Sequence, residues 1–233
     1  MFKWPKNLVL IRHGESEYNI ERFLIGVGRK DGFSEKMKNI RNADIPLTKK
    51  GVKQAIKTGK FLRKEYKNFD AVFISPFKRA RETALHILSA WKNNAPKIII
   101  EERVREKESG ISYALTKKEI KEKYPEWQHL YELEGKYYYR PPGGESYPDI
   151  ALRIHSFLGT LTRDYGEKNV LVVSHSAVLL MFYKLLTRMT EEEILKLDKE
   201  NEIKNCGIIA FELGSVAGKK GKLVPKFFNK KVY

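Results

Sequence analysis

Apolar residues in this chain fall into two patterns, short unbroken runs and longer stretches with helical spacing. Leu8–Ile11 and Ala71–Ile74 are solid apolar runs, the pattern of buried strands, and Ile98–Ile100, behind Pro96, and Val170–Val173 read as a third and a fourth strand. Behind Thr48, a residue suited to an N-cap, the positions Val52, Ala55, Ile56, Gly59, Leu62 and Tyr66 make a helical stripe. Ser75-Pro76 reads as the cap and first-turn proline of a second helix, with Ala80, Ala84, Ile87, Leu88 and Trp91 facing inward. A third helix places Ile150, Ile154, Phe157, Leu158 and Leu161 on one face, and two more are predicted over 177–187 and near 191–199. Gly207–Leu213 and Leu223–Phe228 read as a closing pair of strands.

Residues 20–44 are polar and glycine-containing, and they read as a long loop with room for a short helix. The stretch 102–145 mixes aromatic and charged residues, with a short helix near 117–123 and the turn Pro141-Pro142-Gly143-Gly144. Strands alternating with helices predict a three-layer α/β/α fold around a mainly parallel sheet. The expected organisation is one domain over 1–233, with 102–145 as a cap-like insertion.

At 233 residues the chain can bury a core without staples. Its one cysteine, Cys206, excludes an internal disulfide framework and a cysteine-based zinc site. Lys and Arg number 45 against 29 acidic residues, a formal charge of +16. The excess is mostly lysine scattered along the chain, and no zinc-finger or RNP-like pattern accompanies it. A lysine-rich surface with a bias toward anionic substrates is therefore expected, rather than a nucleic-acid partner. The best case for nucleic acid is the tail, where Lys219, Lys220, Lys222, Lys226, Lys230 and Lys231 have no acid among them. No apolar run approaches the ~18 residues of a membrane helix. No signal-like segment precedes Leu8. A cytoplasmic location without membrane contact is expected.

Ligands in open α/β sheets bind beyond the carboxyl ends of the strands. Three polar features lie at such ends: Arg12-His13-Gly14, Ser75 through Arg79, and Ser174-His175-Ser176. Two histidines and two arginines thus converge on one sheet edge. Guanidinium groups bind oxyanions bidentately. No P-loop, dinucleotide fingerprint or H-E-x-x-H pattern is present, so the anion site is built from side chains. Candidate nucleophiles are His13, His175 or an adjoining serine.

Leu10-Ile11-Arg12-His13-Gly14-Glu15-Ser16-x-x-Asn19 resembles the R-H-G-[ET]-x-x-N signature of the histidine phosphatase superfamily, which includes the phosphoglycerate mutases. Pro46-Leu47-Thr48-x-x-Gly51, Ser75-Pro76-x-x-Arg79-Ala80-x-x-Thr83-Ala84, Arg105-Glu106 with Gly110, and Ser174-His175 resemble its further motifs, in order, across residues 8–187. The resemblance implies that His13 is the nucleophile and forms a phosphohistidine. It implies that Arg12, Arg79 and a protonated His175 hold the phosphoryl oxygens, with Asn19 helping, and that Glu106 is the proton donor; a carboxylic acid beside anionic phosphate has a raised pKa. It implies no metal and no cofactor. Ser16 and Ser176 flank the expected pocket as further phosphate contacts. His86, His129 and His155 match no motif and are expected on the surface or in packing.

Mutases of this family carry E-R-H-Y-G at the acid motif and an Arg-Arg pair further on. Here the motif reads Glu106-Lys107-Glu108-Ser109-Gly110, and 110–145 holds no such pair. Tyr124-Pro125, Lys136-Tyr137-Tyr138-Tyr139-Arg140 and Gly144-Glu145-Ser146-Tyr147 resemble the fructose-2,6-bisphosphatase domain, which places Lys136 and Tyr147 among the substrate contacts. Glu132, Lys117 and Ser176 through Leu180 depart from that domain's other specificity positions. The expectation is a metal-independent phosphomonoesterase acting on a small phosphorylated metabolite, such as a sugar phosphate or phosphoglycerate-like compound. The alternatives are a cofactor-dependent phosphoglycerate mutase and a non-catalytic basic module that binds phosphorylated ligands or nucleic acid.

Overall fold

A computed structural model describes residues 2–91, 96–216 and 219–233. Six strands form one sheet in the order β3-β2-β4-β1-β5-β6. Strands β1 (Asn7–Arg12), β2 (Ala71–Ile74), β3 (Lys97–Ile100) and β4 (Asn169–Ser174) run parallel. Strands β5 (Ile208–Val216) and β6 (Lys219–Lys230) close the other edge antiparallel. The predicted mixed α/β fold, with a mostly parallel central sheet and helices around it, is the one observed.

Leu8 through Ile11 are completely buried. Side chains alternate across a strand, so Leu8 and Leu10 enter one core while Val9 and Ile11 enter the other. The first core lies under α7 (Tyr147–Asp164) and α8 (Ser176–Thr187), through Ile150, Ile154, Phe157, Leu179 and Phe182. The second lies under α3 (Lys49–Glu65) and α4 (Lys78–Leu88), through Ala55, Leu62, Ala84 and Ile87. Each such side chain contributes at most about 1.5–3 kcal/mol on burial.

Several local readings need correcting. Residues 20–44 are largely helical: α1 (Glu17–Gly26), α2 (Glu35–Asn39) and a 3₁₀ turn at Asn42–Asp44. Polar capping made this legible only in part. Ser16 caps α1 in a reciprocal capping box with Asn19, and Ser34 caps α2. Ser75 is no helix cap, because α4 begins at Lys78 with Phe77 in the cap position, and it ends at Leu88 before a 3₁₀ turn that carries Trp91. The 102–145 stretch holds α5 (Lys117–Lys123) and a longer α6 (Pro125–Tyr138), broken at Gly135. A charged α9 (Glu191–Glu200) follows α8. A small third cluster of Phe33, Met37, Ile45 and Ala114 ties residues 33–45 to the 102–145 stretch. In the basic tail, Lys226 has acidic partners after all, Glu65 and Glu212, each at 3.8 Å. The side chains of Lys219 and Lys220 lie outside the described residues. Among the described residues no helix is long and apolar enough to cross a membrane.

Candidate active site

The carboxyl ends of β1, β2 and β4 bring the polar motifs together. Gly14 turns the chain away from β1 into close approach with α3. A Cβ on Gly51 would lie 2.1 Å from the Glu15 carbonyl oxygen, and one on Gly14 would lie 2.7 Å from that of Gly51. Only glycine at both positions lets the helix start abut the loop. The contact leaves His13 just past the strand end, 2% exposed.

His13 Nδ1 lies 2.7 Å from the Gly14 carbonyl oxygen, so Nδ1–H donates there and Nε2 keeps its lone pair. Arg79 Nε lies 3.3 Å from that Nε2. Burial lowers the His13 pKa well below its ordinary value, and the charges of Arg79, His175 and Arg12 lower it further. The ring is neutral at neutral pH.

Arg79 comes from the first turn of α4. Its Nη1 donates to the Asn42 carbonyl at 2.6 Å, and its Nη2 lies 3.6 Å from Glu106 Oε2. Arg12 donates through Nη1 to the Ile203 carbonyl, and its buried Nε has no hydrogen-bond partner. Unpartnered buried donors are rare, and one beside the nucleophile suits a ligand oxygen.

His175 is wholly buried behind Glu106, its ring centroid 5.0 Å from that of His13. Its Nε2 lies 2.8 Å from Ser75 Oγ, which is the actual engagement of Ser75. Its Nδ1 lies 3.2 Å from Glu106 Oε2, an ion-pair distance at an angle that falls short of a hydrogen bond. Burial pushes the His175 pKa down to about 4, outweighing the pull of Glu106. Among these protein neighbours the imidazole is neutral. A bound phosphoryl dianion would draw it back up.

Glu106 is set by burial and by its protein neighbours His175, Arg79 and His13. Burial raises its pKa, but His175, Arg79 and His13 outweigh burial and hold the carboxyl below the usual range. Among these neighbours it is ionised. The main chain around it is braced. Glu145 accepts from Arg105 at 2.9 Å, from Arg153 at 3.0 and 3.2 Å, and from the Glu108 amide at 3.0 Å. Arg153 also donates to the Arg103 and Glu106 carbonyls. Gly110, at φ +54°, packs so tightly that a Cβ would lie 2.0 Å from the Pro142 carbonyl oxygen.

Arg12, His13, Arg79 and Glu106 open onto a cavity of about 870 Å³, which His175, wholly buried, does not line. Arg12, Arg22, Arg79 and four lysines line it against three carboxylates, Glu106, Asp198 and Glu202. Asn19, Lys136, Tyr147 and Ser176 line it as the sequence suggests; Ser16 does not. The Ser16 hydroxyl is spent on Asn19 instead. Sequence reasoning missed Asn205, whose Nδ2 donates to the His13 carbonyl at 3.2 Å and to Asn19 Oδ1 at 3.0 Å. It precedes Cys206, which turns left-handed at φ +51° and returns its amide to the Arg12 and His13 carbonyls. Nothing in the local sequence marks that turn. His86 is half-buried, and His129 and His155 are exposed.

Ligand atoms of His13, Glu106 and His175 lie within 4.8 Å of one another, a spacing that could ligate a metal ion. Arg79, however, approaches both His13 and Glu106 and opposes a cation at those atoms. The donor set fits an oxyanion better.

Comparison with known proteins fits this geometry. The model of the histidine phosphatase superfamily (branch 1) matches residues 8–219. The chain is 35% identical over 175 residues to the 6-phosphofructo-2-kinase/fructose-2,6-bisphosphatase of Caenorhabditis elegans, a match covering 75% of this chain and 33% of that protein. The chain thus spans about a third of that relative's length. It is 30% identical over 193 residues to the 2,3-bisphosphoglycerate-dependent phosphoglycerate mutase of Methylorubrum extorquens (strain PA1), covering 82% of this chain and 84% of that one. Among solved structures, the alpha-ribazole phosphatase of Shigella flexneri superposes with a TM-score of 0.75 at 22% identity, over 96% of both chains. A mycobacterial glucosyl-3-phosphoglycerate phosphatase complexed with VO3 superposes with a TM-score of 0.70 at 20% identity, over 96% of this chain and 99% of that one. Likeness at these identities establishes the fold.

Proposed function

The chain belongs to the histidine phosphatase superfamily, branch 1, and from that premise we propose that it is a phosphomonoesterase acting on small phosphorylated metabolites through a phosphorylated His13. The observation that carries the reading is the state of His13: a neutral ring, its Nδ1 proton tied to Gly14, its Nε2 beside Arg79 at the floor of a cationic cavity. That arrangement is a nucleophile set against an anion clamp.

Arg12 and Arg79 hold the phosphoryl oxygens, with the Asn19 amide group and Ser176 at the rim. His13 Nε2 forms a bond to phosphorus as the ester P–O bond breaks. Charge builds on the equatorial oxygens, where fixed guanidinium groups stabilise it. Binding the phosphate dianion beside Glu106 raises its pKa, so it takes up a proton and passes that proton to the leaving alkoxide. In the second half, ionised Glu106 accepts a proton from water, the water oxygen bonds to phosphorus and the P–N bond breaks. His175 supports both halves from behind Glu106. None of these steps calls on a metal. Residues 102–145 form the cap of this site, together with α1 and α2.

Hydrolysis is favoured over mutase chemistry by Ser109 in place of the mutase tyrosine and by the lack of an Arg-Arg pair in 110–145. The substrate is a sugar phosphate or phosphoglycerate-like ester handled by a cytoplasmic enzyme, and the basic surface guides anions rather than nucleic acid. The test is phosphate release from a panel of phosphomonoesters in EDTA, with His13→Ala alongside. Release by the wild type and none from a folded His13→Ala supports the reading. No release from any ester, together with bisphosphoglycerate-dependent isomerisation of phosphoglycerate, overturns it in favour of a mutase.

A further inference from the structure

The far wall of the cavity, built by α6 and α9, carries an acid that the reaction does not use. The break at Gly135 (φ 70°, ψ 168°) sets Lys136 off the line of α6. Its Nζ lies 2.5 Å from Asp198 Oδ2, and 6.0 Å from the ring centroid of Tyr147. The Asp198 side chain is 12% exposed and that of Lys136 45%. The other three lysines of the cavity, Lys107, Lys117 and Lys199, face no carboxylate within ion-pair distance among the described side chains. Lys136 alone of the four is neutralised, and by a residue 62 positions away on another helix.

We propose that Asp198 is a specificity-determining residue: it withholds the charge of Lys136 from the substrate and gives this end of the cavity a neutral donor–acceptor pair suited to hydroxyl groups. The proposal rests on the phosphatase reading and deepens it. A paired ammonium and carboxylate present a dipole rather than a net charge, so their field falls off steeply toward a ligand several ångströms away. The preferred substrate therefore carries one phosphate and an uncharged, hydroxylated remainder here, and a second phosphate gains nothing from Lys136. Discrimination of this kind comes from a group placed against the competing ligand.

The experiment compares glucose 1,6-bisphosphate with glucose 1-phosphate and glucose 6-phosphate. The ratio of kcat/KM for the bisphosphate to that for each monophosphate is measured in wild type, Asp198→Asn and the double variant Asp198→Asn/Lys136→Met. Asp198→Asn is expected to raise the ratio at least about fivefold, the effect of one unit charge near the ligand in a wet cavity. The double variant is expected to return it to the wild-type value. An unchanged ratio in a folded Asp198→Asn overturns the proposal, and so does a gain that survives in the double variant. If no variant hydrolyses any of the three esters, the phosphatase reading is judged by the wider panel of phosphomonoesters and not by these three. The same ratio is then read from equilibrium binding by calorimetry, with the same two outcomes.

Discussion

Replacing Arg153 by methionine is expected to loosen the loop that carries Glu106 while leaving Arg12, His13 and Arg79 in place. Arg153 is 10% exposed and Glu145 12%. The arginine makes a two-pronged pair with that carboxylate at 3.0 and 3.2 Å and also donates to the carbonyls of Arg103 and Glu106. Breaking a buried pair from one side costs about 3–5 kcal/mol. Glu145 keeps Arg105 and the Glu108 amide, which places the loss near the low end, at about 3 kcal/mol. With a urea m-value of about 3 kcal/mol per molar, the unfolding midpoint falls by about 1 M. A displacement of the acid by about 1 Å costs on the order of 100-fold in rate, so kcat falls by one to two orders of magnitude and KM moves much less. The assay pairs urea denaturation, followed by circular dichroism, with hydrolysis of an alkyl phosphate. A midpoint lowered by less than about 0.3 M, with kcat unchanged, would refute the view that this brace positions Glu106.

Glu106→Gln is expected to slow hydrolysis of alkyl phosphates by about 10²–10⁴-fold, and to slow p-nitrophenyl phosphate far less because that leaving group needs no proton; equal losses on both would contradict the acid role. Stability is expected to fall with acid. His13 and His175 have folded pKa values below the ordinary 6.5, so the unfolded chain takes up their protons first. Their contribution is complete above about pH 6.5 and is lost below it, at roughly 1.4 kcal/mol per pH unit for each ring. The depressed Glu106 adds to this slope below its own ordinary value of 4.5; a urea midpoint that stays level between about pH 7.5 and 5.5 would count against the histidine contribution. Gly51→Ala is expected to prevent folding, since the added carbon would sit 2.1 Å from the Glu15 carbonyl oxygen; a folded variant melting within a few degrees of wild type would show that the α3 start can move away.

Much of the scaffold was legible because it rests on local pattern. Solid apolar runs marked β1, β2 and β4, and the polar residues just beyond them are those that the fold gathers around one cavity. The helices of 17–47 were obscured because α1 buries none of its residues and α2 buries only Met37, so neither carries a core stripe. Ser75 looked like a cap because Ser-Pro is a common helix start, yet its hydroxyl is claimed by His175, 100 residues on. Ser16 next to the signature looked like a phosphate contact, while local capping took its oxygen, which accepts from the Asn19 amide. Asn205, the Glu145–Arg153 brace and the Lys136–Asp198 pair all depend on partners distant in sequence. A single sequence gives no register for such pairs. The electrostatics were hidden for the same reason. Glu106 beside phosphate alone would be raised, whereas Glu106 among His175, Arg79 and His13 is lowered.

The central claim is that phosphate passes through His13, and the direct measurement is to catch it there. Wild-type protein is mixed with a hydrolysed phosphomonoester, quenched in base within the first turnover and digested for mass spectrometry. One phosphoryl group, stable to base and labile to acid, is expected on the peptide carrying His13, formed no slower than phosphate is released and missing from His13→Ala. Phosphate release at full rate with His13 never modified, or with the label on His175 or a serine, would contradict it.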